Sequence, residues 1–176
     1  MRIADRALAA LRGATERQVV VANDPRAAAW FDEERVVADD TPGVGPLGGL
    51  ASALHVADGA PTLVVAWDMP FVTTDLLRAL RRRGEAGASA VVPVHGATRL
   101  AEPLCAWYAP EGLATCRALL AAGARRAGAL FDALPDTATL GDAELARYGE
   151  PTRLFTSVDT PERLAELGGV LEQRIG

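Results

Sequence analysis

Three polar segments of this 176-residue chain each follow directly on a short apolar run, and together they hold its most chemically suggestive side chains. Asn23 follows Val19-Val20-Val21-Ala22; Asp39 and Asp40 follow Val36-Val37-Ala38; Asp68 follows Leu63-Val64-Val65-Ala66-Trp67. A fourth segment, Ser157-Val158-Asp159-Thr160-Pro161, comes after the run from Arg153 to Thr156. In open α/β sheets ligands bind beyond the carboxyl ends of strands. Carboxylates and an amide gathered there suit a hard cation and a phosphorylated ligand. Asp68 is the sharpest candidate, since a strand before it and Pro70 after it fix its backbone. It can hold Mg²⁺ against a nucleotide phosphate; by position alone it can equally cap the following helix or sit in a turn.

The loop Gly43-Val44-Gly45-Pro46-Leu47-Gly48-Gly49 allows close backbone approach to a planar or phosphorylated ligand. It has neither dinucleotide-fingerprint nor P-loop spacing, and an ordinary turn explains it as well. Arg125-Arg126 lies between two expected helices, where an arginine pair can reach a phosphate or simply be solvated. Arg81-Arg82-Arg83 reads as a solvated helix end. His55 and His95 are far apart and lack metal-ligand spacing, and no nucleophile elbow or catalytic triad stands out.

The elements that must position these residues alternate between β-branched runs and Ala/Leu-rich stretches, the pattern of a sheet with crossover helices. Helices are expected at Ile3 to Arg12, with Gly13 as C′ residue, at Asp24 (N-cap) and Pro25 (N1) through Phe31, at Leu47 to Val56, from Thr73 or Thr74 to Arg83, at Pro110 to Ala122 and at Arg125 to Ala133. Strands are expected at Gln18 to Ala22, Arg35 to Ala38, Thr62 to Ala66, Ser89 to Val94, Pro103 to Tyr108 and Arg153 to Thr156. A small αβ piece is expected over 137–148, and a helix after Pro161. One domain with one core is the expectation for this length.

With 49% hydrophobic but only 5% aromatic residues, that core is built from Ala, Val and Leu. Net charge is −5 and every cation is arginine, with no basic run to track a nucleic-acid backbone. The apolar runs are too short to span a membrane. Cys105 and Cys116 in apolar surroundings read as buried thiols of a reducing cytosol, so a cytoplasmic protein is expected.

The strings V-V-V-A-N at 19–23, A-D-D-T-P-G-V-G-P-L-G-G-L at 38–50, W-D-M-P-F at 67–71, E-P-L-C-A-W-Y at 102–108 and S-V-D-T-P-E-R-L at 157–164 resemble the MobA-type molybdenum cofactor guanylyltransferases in order and spacing. The resemblance implies a three-layer α/β nucleotidyltransferase fold with a mostly parallel sheet, like that of nucleotide-diphospho-sugar transferases. It implies transfer of GMP from GTP to the terminal phosphate of molybdopterin or Mo-molybdopterin, with release of pyrophosphate and Mg²⁺ as cofactor. By the same resemblance, Asn23 and Asp39 contact the guanosine with Gly45 and Gly48 nearby, and Asp68 is the catalytic residue that holds nucleotide and metal. Ser157 and Asp159 face the pterin or complete the metal site, and Arg125 and Arg126 meet the pterin phosphate; Asp159 stands where the family commonly has Asn. Molybdoenzymes or cofactor-assembly proteins are the implied partners.

The family opens with a strand and a glycine-rich L-A-G-G-x-S-x-R-M-G-x-D-K loop that holds the triphosphate, for which this chain shows no counterpart. The expectation is therefore a single domain over 1–176 that is N-terminally incomplete, lacks the first strand and phosphate loop, and has little transferase activity in this form. A molybdopterin cytidylyltransferase, a phospholactate or sugar-phosphate nucleotidyltransferase, and an inactive binding relative are the alternatives.

Overall fold

A computed structural model of the protein describes residues 2–31, 35–160, 162, 163 and 165. Helix α1 (Ile3–Arg12) is amphipathic and buries Ala7, Leu8 and Ala10. It leads to β1 (Val19–Val21), which pairs in parallel with β2 (Arg35–Val37). Helix α2 (Pro46–Val56) starts with proline at its first position, where no amide hydrogen is needed. Strand β3 (Thr62–Val65) and helix α3 (Thr74–Glu85) follow, and Thr73 caps α3 by accepting the Leu76 amide hydrogen.

The chain continues through β4 (Ala90–His95), β5 (Leu100–Ala101), β6 (Cys105–Tyr108), α4 (Gly112–Ala121) and α5 (Gly128–Ala133). Strand β7 (Thr137–Leu140) and two single-turn helices, α6 (Asp142–Leu145) and α7 (Pro151–Leu154), complete the described elements.

In the larger sheet β6 lies between β3 and β4, and β7 pairs with the other edge of β4. β3, β4 and β7 run in one direction, while β6 is antiparallel to both its neighbours. Parallel pairing is thus limited to β1–β2 and β4–β7 among the described residues. The reason is local: the turn after β4 sends the chain straight back through β5 and β6 with no crossover helix.

The alternation of side chains across the strands feeds two cores. Val91, Cys105 and Trp107 pack with Leu76, Leu77 and Leu80 of α3 and with Ala10 of α1. Ala90, Val92, Ala106 and Tyr108 point the other way, onto Leu47, Leu50 and Leu54 of α2, Cys116 of α4 and Leu130 of α5. Helices on both faces of a sheet make three layers.

Three expected elements differ. The helix expected from Asp24 to Phe31 is a 3-10 turn at Ala27–Ala29 only, because Asp24 accepts from Arg26 through both carboxylate oxygens and stabilises a tight turn instead. The strand expected at Arg153 to Thr156 is occupied by α7, whose start is set by Pro151 and by Glu150 accepting the Thr152 and Arg153 amide hydrogens. Gly13 is not in the left-handed conformation of a C′ glycine, with φ −73°. A Cβ there would lie 2.6 Å from the Thr74 side chain, so the glycine serves contact between α1 and α3. The helix expected after Pro161 falls largely outside the described residues.

Candidate functional site

Each of the three aspartate- and asparagine-bearing segments follows a strand, as the hydrophobic pattern requires. Asn23 and Asp39 succeed β1 and β2, and the parallel register brings them together. The Asn23 Nδ2 donates to Asp39 Oδ2 at 2.8 Å, and the Asp39 amide hydrogen is accepted by Asn23 Oδ1 at 2.9 Å. This reciprocal pair fixes both side chains while leaving Asp39 Oδ1 with no hydrogen bond among the described residues. Asp40 turns the other way. Its amide hydrogen goes to Ser52 Oγ (2.9 Å) and its Oδ2 meets His55 Nδ1 (2.6 Å), so it anchors the loop to α2.

Gly45 has φ +84°, a conformation that favours glycine, and a Cβ there would lie 3.1 Å from the Arg125 carbonyl oxygen. That carbonyl accepts the Leu47 amide hydrogen at 3.0 Å, so the chain at Arg125 caps the start of α2. The Arg125 guanidinium is turned to the Leu120 and Ala124 carbonyls, at 3.3 and 2.8 Å. Arg126 is exposed, and its guanidinium makes no hydrogen bond or ion pair among the described residues; its carbonyl accepts the Ala129 amide hydrogen at 3.1 Å. Gly48 is buried within α2, where a Cβ would meet Val44 Cγ2 at 2.4 Å; its missing side chain makes room for the loop itself.

Asp68 is half-buried just past the end of β3. Its carbonyl accepts the Val158 amide hydrogen at 2.8 Å, and its Oδ2 accepts from Ser157 Oγ. Oδ1 has no partner among the described residues. Asp159 is exposed beside this contact. Asp39, Gly45 and Asp68 line one cavity of about 830 Å³, which is bounded by Leu8 and Leu11 of α1, Leu50 and Ala53 of α2, and both β1 and β3. The fold therefore sets Asp39, Gly45 and Asp68 around one space, ties Asn23 to Asp39, and joins Ser157 to Asp68. Gly48 contributes from within the helix, and Arg125 through its backbone.

For a divalent cation the donor set is a single carboxylate. Among the described residues no three His, Cys, Asp or Glu side chains gather closely enough to cage a metal. A free carboxylate oxygen on rigid backbone fits Mg²⁺, which is commonly held by one or two carboxylates together with substrate phosphates.

Two features carry no role in the reading of the sequence, although Glu102 and Trp67 lie within the strings quoted above. His95 Nε2 and Glu102 Oε1 are 2.8 Å apart in a largely buried pair, although the two residues sit on opposite arms of the β4–β5 hairpin. A histidine and a glutamate flanking a Gly-containing turn was the available clue. Trp67, 62% exposed beside Asp68, also lines the cavity.

Residues 1–138 match the MobA-like NTP transferase domain. The chain is 34% identical over 161 residues to a Chloroflexus aggregans protein named probable molybdenum cofactor guanylyltransferase, covering 91% of this chain and 76% of that one. A Methanothermobacter thermautotrophicus protein of the same name is 36% identical over 107 residues, which span 58% of this chain and about half (53%) of the relative. Among solved structures, molybdopterin-guanine dinucleotide biosynthesis protein A from Archaeoglobus fulgidus superposes with TM-score 0.73 at 25% identity, over 88% of this chain and 78% of that one. The 2-C-methyl-D-erythritol 4-phosphate cytidylyltransferase of Thermus thermophilus shares the fold, with TM-score 0.70 at 16% identity over 97% of this chain and 89% of that one.

Proposed function

Because this chain belongs to the MobA-like NTP transferase family, we propose that it is a guanylyltransferase that moves GMP from GTP to the terminal phosphate of molybdopterin or its molybdenum-loaded form. The observation that carries this reading is the pairing of Asp39, aligned by Asn23, with Asp68, aligned by Ser157 and Val158, around one cavity. A carboxylate accepts the ring N–H and exocyclic N–H of guanine together, whereas cytosine offers it only an exocyclic N–H beside two acceptors. Asp39 is so equipped. The Gly45 loop lets backbone approach the nucleoside without a side chain intervening.

In the reaction an oxygen of the pterin's terminal phosphate forms a bond to the α-phosphorus of GTP. The bond to the bridging oxygen of the β-phosphate breaks, and pyrophosphate leaves with the electron pair. Mg²⁺, when bound, neutralises charge that accumulates on the phosphates. Asp68 would hold the cation, its Oδ1 being free, while the Ser157 hydrogen bond keeps the carboxylate from rotating away. Arg126, exposed and unpaired among the described residues, is available to a substrate phosphate. Ser157 and Asp159 flank the acceptor side. Function in the cytoplasm, where GTP and the pterin are made available, accompanies this reading; among the described residues no helix is long and apolar enough to cross a membrane.

The test is competition binding with GTP, CTP and ATP in Mg²⁺, followed by turnover with molybdopterin. GTP is expected to bind most tightly and to yield pyrophosphate, slowly in this form, which shows no counterpart of the family's triphosphate loop. A preference for CTP would sink the guanylyl assignment.

A further inference from the structure

The His95–Glu102 pair lies outside everything assigned so far, yet it abuts the segment that carries Asp68. Strand β6 runs antiparallel to β3, so the residues preceding it lie alongside the residues that follow β3. The Ala66 amide hydrogen is accepted by Leu104 O at 2.7 Å, and Glu102 O accepts the Cys105 amide hydrogen at 2.9 Å. Glu102 thereby opens the turn that brings Leu104 against Ala66, two residues before Asp68. Its own amide hydrogen is accepted by Pro93 O at 3.0 Å, which fixes its backbone to β4 as well.

Among the described residues the His95 ring makes one hydrogen bond and one aromatic contact. Its Nε2–H donates to Glu102 Oε1, and its ring packs against Phe155 with centroids 4.9 Å apart and planes inclined by 31°. Nδ1 is buried without a partner among the described residues, so the ring delivers its one hydrogen bond to Glu102. Phe155, also buried, stands two residues before Ser157, which donates to the Asp68 carboxylate. His95 is thus a joint between the carboxylate on β6's approach and the segment that orients Asp68.

A buried histidine–carboxylate pair is a poor device for stability, because desolvation offsets most of its attraction and an apolar pair of similar volume would serve as well. Its physical effect falls on its neighbour. Burial raises the Glu102 pKa against the opposing effect of His95, and the field of the Asp68 charge adds to the rise. Two carboxylates that repel each other across one strand end are both relieved by a cation bound at either.

We propose that His95 and Glu102 are positioning residues of the nucleotidyl-transfer site, in which the pair fixes a second negative charge near Asp68 and braces, through Phe155, the segment that aligns it. The proposal rests on the reading of Asp68 as the cation-holding carboxylate.

The experiment measures Mn²⁺ binding to the full chain with GTP present, by electron paramagnetic resonance, alongside the Mg²⁺ concentration for half-maximal turnover. E102Q, which removes the charge and keeps the shape, is expected to weaken the cation constant on the order of tenfold. Nucleotide affinity without metal should stay within about twofold, a split that a purely structural role would not produce. H95Q keeps a donor at the Nε2 position and should retain most of the cation affinity, while H95L should reproduce the E102Q defect.

Unchanged cation constants in E102Q and H95L, with Asp68→Asn abolishing GTP-dependent Mn²⁺ binding, would overturn the positioning role and leave the proposed function standing. Equal losses of nucleotide and cation affinity would overturn it too. If the unsubstituted protein binds no Mn²⁺ with GTP, both readings fall. Should E102Q not fold, H95L and H95Q decide the matter by the same two constants.

Discussion

Asp68 is half-buried, bonded through one carboxylate oxygen and open at the other, and a single-atom change tests it. Asp68→Asn keeps the size and the acceptor for Ser157 but removes the charge. We expect Mg²⁺-dependent turnover to fall by on the order of 100-fold or more, with the thermal midpoint nearly unmoved; unchanged turnover would refute the metal role. Asp39 differs in kind, since its partner is a base rather than a cation. Asp39→Asn should weaken GTP binding by about 1–3 kcal/mol and narrow the margin over CTP, read by competition binding. Glu102 carries a pH signature. Burial, aided by the Asp68 charge and opposed by His95, raises its pKa above the ordinary 4.5. The folded state therefore holds this proton more tightly than the unfolded state, so its contribution to stability is fullest below 4.5, declines as pH rises toward the folded value, and then levels off. Thermal midpoints of the native protein minus those of E102Q, followed from pH 4 upward, should decline through that window.

At the scale of elements, α3 shows how the site is held from behind. It packs on β6 so closely that a Cβ on Gly84 would lie 2.2 Å from Trp107 Cδ2. The Trp107 ring is buried. Gly84→Ala should therefore destabilise by about 1–3 kcal/mol despite the better helix propensity of alanine, as read by urea unfolding. A gain in stability would mean that the ring shifts freely. α7 is the opposite case, a single turn nucleated by Glu150 and Pro151. It delivers Phe155 and Ser157 to their contacts with His95 and Asp68, which an extended run through Arg153 would direct elsewhere.

Across the whole molecule, the two layers of helices seal both thiols. Cys105 lies within the core shared with α3 and Cys116 within the core shared with α2, each fully buried. Burial pushes the Cys116 thiol up to about 12, and the Cys105 thiol higher still. Neither forms appreciable thiolate near neutrality, so native protein at pH 8 should resist iodoacetamide, and both thiols should react once urea unfolds the chain. Rapid labelling of either in the native state would show that its layer opens.

The residues themselves determined the α/β class, the strand ends that carry Asn23, Asp39 and Asp68, and the family, because short β-branched runs and loop-borne polar residues are local patterns. Most helices and strands fell within a few residues of their expected places for the same reason. What stayed illegible depended on partners distant in the chain. The reversal of β6 follows from a hairpin without a crossover helix. The run 153–156 became helical because Glu150 and Pro151 outweighed an apolar stretch too short to choose its own conformation. The Asn23–Asp39 lock spans 16 residues and the Ser157–Asp68 bond 89. Only the packed tertiary structure decides which of several exposed polar side chains meet, since each such bond needs two backbones fixed independently by their own cores.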